Sequence, residues 1–449
     1  MKGWKKASIA LGSTVLAIGA GYIGYKTGLN AVKATALGVL TLMALWWLTG
    51  TVPYYVVATV PALSVPILDG VGLPTASSLW KAYGQPVLGL FLGSFWLARA
   101  VEVHGVGSYL RDRVLYWSRG EVRRIFRGLS VLAAALSTLL NNTAVTALML
   151  PLVSEIMPPG EPRWRLALSI AWATSIGGVA TLTGSAPNGI TAQLLETHGN
   201  PVHFLDWLKY GLPAAIGGLW IAQLLLSRPK HEDPAPPPHP ISQAASLSAE
   251  GKRTLLLLGL ILGAWIVLPL PAWSIALGGG CIFFIPGTGT HGKALLTVEE
   301  GHHIPWGVLW LFGGGLALAQ LLELSGLSQD FITYLTQQVG ETHALLFLVI
   351  TLGLIIGLTE LFSNTALCAL ILPILLPLME KLSLPPLTVI WIGIATSMAF
   401  MLPVATPPNA LAYTRAQIPL SYMRKKGLWM NLAIWVWLSF LAVLYHYFL

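Results

Sequence analysis

Apolar segments long enough to cross a bilayer recur along almost the whole chain, and they exclude a water-soluble fold. They run over 7–25, 35–50, 54–68, 86–105, 166–193, 207–226, 254–270, 272–286, 305–324, 386–413 and 428–448. A helix needs about 20 apolar residues to span a hydrocarbon core of about 30 Å. Only 10% of the residues are charged and 55% are hydrophobic, against a charged share of about 25% in soluble domains. The 18 Trp suit the same solvent, because the indole ring favours the membrane interface. The net charge of +8 therefore reads as a basic cytoplasmic face and not as a nucleic-acid surface. Two cysteines, Cys281 and Cys368, make neither a disulfide framework nor a thiolate metal site. Met1 to Lys6 is basic and Ala7 to Tyr25 apolar, as in a secretory signal, but the length of that stretch and the spans after it argue for a retained first helix.

The chain repeats itself. Ser137-Thr-Leu-Leu-Asn-Asn-Thr-Ala-Val-Thr-Ala-Leu-Met-Leu-Pro151 matches Thr359-Glu-Leu-Phe-Ser-Asn-Thr-Ala-Leu-Cys-Ala-Leu-Ile-Leu-Pro373 at eight of fifteen positions, with an offset of 222. At the same offset Ala173-Thr174-Ser175 becomes Ala395-Thr396-Ser397. At 221, Pro187-Asn188 becomes Pro408-Asn409, and Phe91, Gly93, Glu102 and Gly105 become Phe312, Gly314, Glu323 and Gly326. This order divides the chain into an extra helix (1–30), a first repeat (31–226), a Pro-rich linker (227–253) and a second repeat (254–449).

Charge sets the relative direction of the repeats. The span at 86–105 is followed by Arg111, Arg113, Arg119, Arg123, Arg124 and Arg127, whereas its counterpart at 305–324 is followed by Asp330 and Glu341 and no base. Lys and Arg mark the cytoplasmic side, so equivalent ends face opposite sides and the repeat is inverted. Two further apolar segments, 128–154 and 344–378, carry polar centres. If they dip in and return while eleven others span, 21 of the 26 Lys and Arg fall inside. Lys26, Lys33, Lys81, Lys209 and Lys381 then lie outside. The N-terminus is cytoplasmic and the C-terminus external. Arms of roughly 10–15 residues are too short to cross the core, which puts Asn141-Asn142-Thr143 and Ser363-Asn364-Thr365 at the tips of re-entrant hairpins.

The second repeated element is an interrupted helix. Thr174 to Asn188 is rich in Gly and hydroxyls and is broken at Pro187; Thr396 to Asn409 carries Pro403, Pro407 and Pro408. The breaks free carbonyl oxygens away from bulk water, where a hard cation is a natural partner, and the new helix N-termini present N–H groups to an anion. No Lys or Arg falls in these segments, so an anion there is held by dipoles, hydroxyls, amides and cations. A single Asn-Thr would read as helix glue; the paired set reads as a binding site. Glu360, ionisable and beside a tip, has Thr138 as its counterpart and is read as structural. No metalloprotease motif or nucleophile elbow is present. His104, His198, His203, His291, His302 and His303 fall near membrane edges or loops, and the chain is read as no enzyme.

At these residues the chain resembles the divalent anion/sodium symporter family of dicarboxylate, citrate and sulfate transporters. The resemblance covers nearly the whole chain and rests on the paired tips, each followed by a Pro-Asn loop. It implies an all-α inner-membrane homodimer working as an elevator, and a sodium-coupled importer of succinate, malate, fumarate or citrate. A sodium-independent exchanger, a sulfate transporter and, more distantly, a channel are the rivals. The resemblance implies a first sodium site at Ser137, Asn141, Asn142 and Gly184. It implies a second at Thr359, Phe362, Ser363, Asn364 and Ala405. Substrate carboxylates would meet Asn142, Thr143, Asn364 and Thr365, with Ser185, Pro187, Thr406 and Pro407. The first tip departs from the family's Ser-Asn-Thr by placing Asn141 where Ser is usual, and the first loop reads Gly184-Ser-Ala-Pro-Asn188. Asn141 either keeps, reshapes or fills the first sodium site.

Overall fold

A computed structural model describes residues 2–226, 246–268, 270–339 and 343–448. Most of the expected linker, 227–245, lies outside these residues. The described residues are helices, turns and irregular segments. In chain order the helices begin with α1 (Lys2–Lys26), α2 (Ala31–Thr49), α3 (Tyr54–Val57), α4 (Val60–Leu63) and α5 (Val65–Gly70). There follow α6 (Pro86–Val103), α7 (Val106–Ser118), α8 (Val122–Ser137), α9 (Asn142–Ile156), α10 (Glu161–Gly178), α11 (Ala186–Thr197) and α12 (Phe204–Leu226). Beyond the linker come α13 (Ala249–Val267), α14 (Ala272–Ile282), α15 (Val298–His302), α16 (Trp306–Leu324) and α17 (Leu327–Val339). The last are α18 (Ala344–Leu358), α19 (Asn364–Lys381), α20 (Val389–Ala395), α21 (Pro407–Ala416) and α22 (Leu420–Phe448).

Local chemistry places the ends. Asn30 accepts from Lys33 N at 2.8 Å and starts α2, which stops at Gly50 in the left-handed region (φ 58). Ser248 starts α13 in the same way. Proline occupies the first turn of α6, α10, α11 and α21, where a missing N–H costs nothing.

Among the described residues, six segments are long and apolar enough to span: 4–26, 31–49, 76–103, 298–324, 364–381 and 420–448. Several expected spans are instead built from pieces. The segment 54–68 is three short helices, α3 to α5, with Pro61 and Pro66 in their first turns. The segments 166–193 and 386–413 are each two helices separated by irregular chain, at 179–185 and 396–406. The two segments with polar centres are also interrupted, at 138–141 and at 359–363. Two of their arms are longer than the roughly 10–15 residues expected, α8 with 16 and α19 with 18, while α9 and α18 have 15. At 1.5 Å per residue α19 rises about 27 Å. The physical reason is that helix continues into polar ends that hydropathy leaves out, Arg123, Arg124 and Arg127 on α8 and Glu380 and Lys381 on α19.

The outer surface is apolar, with Trp4, Trp117, Trp220 and Trp429 exposed as lipid-facing side chains would be. The interior packs backbone against backbone at small residues. A Cβ at Gly93 on α6 would stand 2.1 Å from Ala276 O on α14, and one at Gly177 on α10 would stand 2.1 Å from Ala134 O on α8. Gly314, matched to Gly93 by the repeat, meets Ala58 with the same intimacy, 2.2 Å from its carbonyl oxygen. Phe91 and its repeat partner Phe312 touch each other, with ring centroids 4.4 Å apart. Gly93→Val is expected to overpack the α6–α14 contact and destabilise the fold by about 1–3 kcal/mol or more. Thermal unfolding in detergent should show this, whereas Gly263→Val, where no atom stands within 4 Å of the added Cβ, should melt close to wild type.

Candidate functional site

Each interruption is tied together by side chains at matching places. At the first tip Ser137 Oγ donates to Asn142 Oδ1 at 2.5 Å; at the second Thr359 Oγ1 donates to Asn364 Oδ1 at 2.8 Å. In the first broken helix Asn188 Nδ2 donates to Gly178 O (2.9 Å) and Thr181 O (2.6 Å). In the second, Asn409 Nδ2 donates to Ala399 O (3.0 Å) and Leu402 O (3.2 Å), each residue shifted by 221. Tip and loop are joined within each half: Thr181 Oγ1 donates to Thr138 O, and Thr359 Oγ1 stands 2.5 Å from Thr396 O, its one proton shared between that carbonyl and Asn364 Oδ1. Between halves, the hydroxyls of Ser185 and Ser397 stand 3.0 Å apart.

These four interruptions open on one cavity of about 390 Å³. Every expected substrate residue lines it: Asn142, Thr143, Ser185, Pro187, Asn364, Thr365, Thr406 and Pro407. Of the expected cation ligands, Asn141, Gly184, Phe362, Ser363 and Ala405 line it too, while Ser137 and Thr359 lie behind the tip asparagines they hold. Among the described residues no charged side chain lines this cavity. A second space of about 550 Å³ shares Phe95, Asn141 and Thr143 with it and runs past Ser108, Arg99, Glu102 and His303.

Oxygen atoms crowd the first interruption. A Cβ at Gly184 would stand 2.6 Å from Gly178 O, 2.8 Å from Ser137 O and 2.9 Å from Thr138 O. One at Gly178 would stand 2.8 Å from Asn142 Oδ1 and 3.0 Å from Gly184 O. In addition Asn188 Oδ1 and Asn409 Oδ1 are buried and have no hydrogen-bond donor. Gly178 O, Thr138 O and Asn142 Oδ1 already accept from Asn188, Thr181 and Ser137, and neutral oxygens gathered this closely suit a small hard cation. Asn141 does not add to them: its Oδ1 accepts from Thr143 N (2.8 Å) and Ala144 N (3.4 Å) and so caps α9. At the matching place Ser363 makes no cap.

Glu360 is fully engaged in holding backbone. Its carboxylate accepts from Phe400 N (2.6 Å), Met401 N (2.8 Å), Leu402 N (3.0 Å) and Asn431 Nδ2 (2.8 Å), and the residue is 4% exposed. Sequence reasoning left three residue groups off the site: the closing amides Asn188 and Asn409, Ser397 as the bridging partner of Ser185, and the aromatic wall of Tyr54, Phe91 and Phe95. The two asparagines and Phe91 had a signal in the 221 offset; Tyr54 and Phe95 had none. His303 borders the neighbouring space, and among the described residues no histidine lines the cavity itself.

Known proteins are similar in sequence and in fold. Residues 43–376 match the family model described as citrate transporter. An uncharacterised transporter of Haemophilus influenzae is 31% identical over 434 residues, covering 89% of this chain and 88% of its own. The sodium-dependent dicarboxylate transporter SdcS of Staphylococcus saprophyticus is 30% identical over 433 residues, covering 88% and 83%. Among solved structures, the YdaH transporter of Alcanivorax borkumensis matches 83% of this chain and 88% of its own with a TM-score of 0.56 at 15% identity, a likeness of fold.

Removing Glu360 leaves three loop N–H groups and the Asn431 amide unsatisfied, at about 1–3 kcal/mol for each buried group. Glu360→Ala is therefore expected to lower the melting temperature sharply in detergent. Thr138→Ala, at the matching place, loses only a bond to Ala135 O and should melt near wild type.

Proposed function

Because the chain belongs to the divalent anion/sodium symporter family, alongside citrate and sodium-dependent dicarboxylate transporters, we propose that it imports C4-dicarboxylates such as succinate, malate or fumarate, or citrate, by sodium-coupled symport. One observation carries this reading: four interrupted helices line a single cavity with asparagine, hydroxyl and helix-terminal groups and, among the described residues, no charged side chain. A dianion entering such a space needs cations to enter with it, because an isolated charge in a low-dielectric site is prohibitively costly. Sodium ions seated behind the tips, at Ser137, Asn142 and Gly184 and at Thr359, Phe362, Ser363, Asn364 and Ala405, supply that compensation. The free carbonyls of the broken helices are the ligands such an ion requires. Binding order follows: cation first, anion second.

The architecture proposed with it is a pair of inverted repeats, 31–226 and 254–449, after an extra helix, each with a re-entrant hairpin (128–154 and 344–378). The contact of repeat partners Phe91 and Phe312 supports a two-fold relation passing between α6 and α16. The arginines on α7 and α8 favour a cytoplasmic location for that end of the first repeat, with the N-terminus inside and the C-terminus outside. The hairpins and broken helices, joined by the Thr181–Thr138 and Thr359–Thr396 bonds, form a unit that moves as an elevator against a scaffold paired as a homodimer.

A second reading has one observation in its favour. Asn141 turns its oxygen onto its own helix, so the first cation cradle loses a ligand, which favours weaker sodium coupling or exchange. Purified protein in vesicles is expected to take up labelled succinate faster with an inward sodium gradient than with potassium. Equal rates in the two salts, with efflux demanding external substrate, would select the exchanger. Asn364→Ala is expected to abolish uptake with folding intact, and Thr365→Ala to raise the half-saturating concentration; wild-type kinetics in both would remove the site assignment.

A further inference from the structure

The cavity is not equally prepared for the two ends of a dianion, and this point rests on the transport reading above. Four helices begin at its wall: α9 at Asn142, α11 at Ala186, α19 at Asn364 and α21 at Pro407. They pack in two pairs, α9 with α21 and α11 with α19. The 221–222 offset exchanges the pairs, carrying α9 onto α19 and α11 onto α21. Each pair could receive one anionic group, because helix N-termini carry a partial positive charge and unpaired N–H donors.

The pairs are finished differently. In the α9/α21 pair both N-termini are closed by a side chain of the chain itself. Asn141 Oδ1 accepts from Thr143 N and Ala144 N, and Thr406 Oγ1 accepts from Asn409 N at 3.2 Å. In the α11/α19 pair neither is closed: Ser185 and Ser363, at the corresponding positions, make no cap. Ser185 directs its hydroxyl to Ser397 instead. The open pair is also tightly joined, since Cys368 Sγ, on the second turn of α19, lies 3.5 Å from Pro187 O on the first turn of α11. Pro187 has no N–H and Asn188 N turns back to Ser185 O at 3.2 Å. The donors of the open pair therefore come chiefly from the first turn of α19, with α11 adding its field.

We propose that the site grips one carboxylate at the open α11/α19 pair and meets the far end of the substrate with neutral groups at the closed α9/α21 pair. Asn141 sets this polarity. Its amide oxygen already occupies the N–H groups a second carboxylate would use, and the residue lines the cavity as a carboxamide with no net charge. The substrate class widens accordingly to short carboxylates with one obligatory anionic end, so half-amides and half-esters of dicarboxylic acids enter the site as dianions do.

The test is competition against labelled succinate in vesicles held under an inward sodium gradient, with succinamate and monomethyl succinate as the probes. In the wild type both are expected to inhibit within about tenfold of unlabelled succinate, the order of one lost N-terminal charge contact. Asn141→Ser opens the second pair: succinate should bind several-fold more tightly while succinamate does not change, so discrimination between them rises. Thr406→Ala unseats the other cap and should move the ratio the same way, which keeps the test standing if Asn141→Ser does not fold. Ser363→Asn closes the open pair and should weaken succinate and succinamate together. Robust succinate uptake untouched by a hundredfold excess of either probe would overturn the polarity alone, as would Asn141→Ser and Thr406→Ala variants that leave the ratio unchanged. Absence of succinate uptake in the wild type would overturn the transport reading and the polarity with it.

Discussion

Backbone that leaves the helical path inside a membrane protein must find its hydrogen bonds within the protein, and two asparagine amides supply that condition here. Asn188 bridges Gly178 O and Thr181 O; Asn409 bridges Ala399 O and Leu402 O. Each closes a helix break over a few residues while keeping its own Oδ1 buried and without a donor. A carbonyl in water would be satisfied by solvent at no structural expense. In a site without bulk water each orphan acceptor is costly, so a break that leaves acceptors over is stable only where a donor or a cation completes it. The Pro-Asn sequence thus does two things with adjacent atoms. Proline prevents the helix from continuing, and asparagine holds the resulting loop in one shape.

That shape explains why the cavity can be neutral and still serve an anion. Lys or Arg in the cavity would bind a dicarboxylate permanently and would have to be desolvated whenever the site emptied. A cavity of oxygens and helix N-termini has no such standing charge. On the proposed reading, cations that enter with the anion raise its affinity, which is a coupling free energy between two ligands and is reciprocal. The second half shows how much backbone has to be restrained for this. Glu360 gathers three consecutive N–H groups of the 396–406 loop and the Asn431 amide of α22. The first half manages with hydroxyls, Thr181 onto Thr138 O and onto Gly184 N.

Much of this could be read from residue order. The offset of 221–222 located both tips and both loops, and every residue expected to touch substrate lies on the one cavity. Periodicity was a poorer guide to length. Hydropathy ends where charge begins, but helix hydrogen bonds do not, so α8 and α19 extend through Arg123–Arg127 and Glu380–Lys381 beyond their apolar cores. The segment 54–68 reads as a span by composition, and its prolines cut it into three. The cap made by Asn141 was also out of reach. A residue table says that asparagine offers an oxygen; only the backbone angles of the N-cap, φ −60 and ψ 129, decide that the oxygen turns back onto α9.

Sequence matches at an offset of 221–222 run through both the packing frame and the cavity residues, and the two differ in how far they allow change. The frame resists change because it is made of close approaches that tolerate no side chain: Gly93 and Gly314 each stand against an opposing alanine backbone, and Phe91 meets Phe312. The cavity wall carries fewer such constraints, since Asn141 and Ser363 occupy equivalent places and both start a helix in the same extended conformation, φ near −60 and ψ near 130. One extra carboxamide therefore alters which N–H groups face the substrate without moving the helix that bears them. In a fold of this kind the packing residues fix where the two tips stand, and the residue just before each tip asparagine decides how strongly each tip attracts charge.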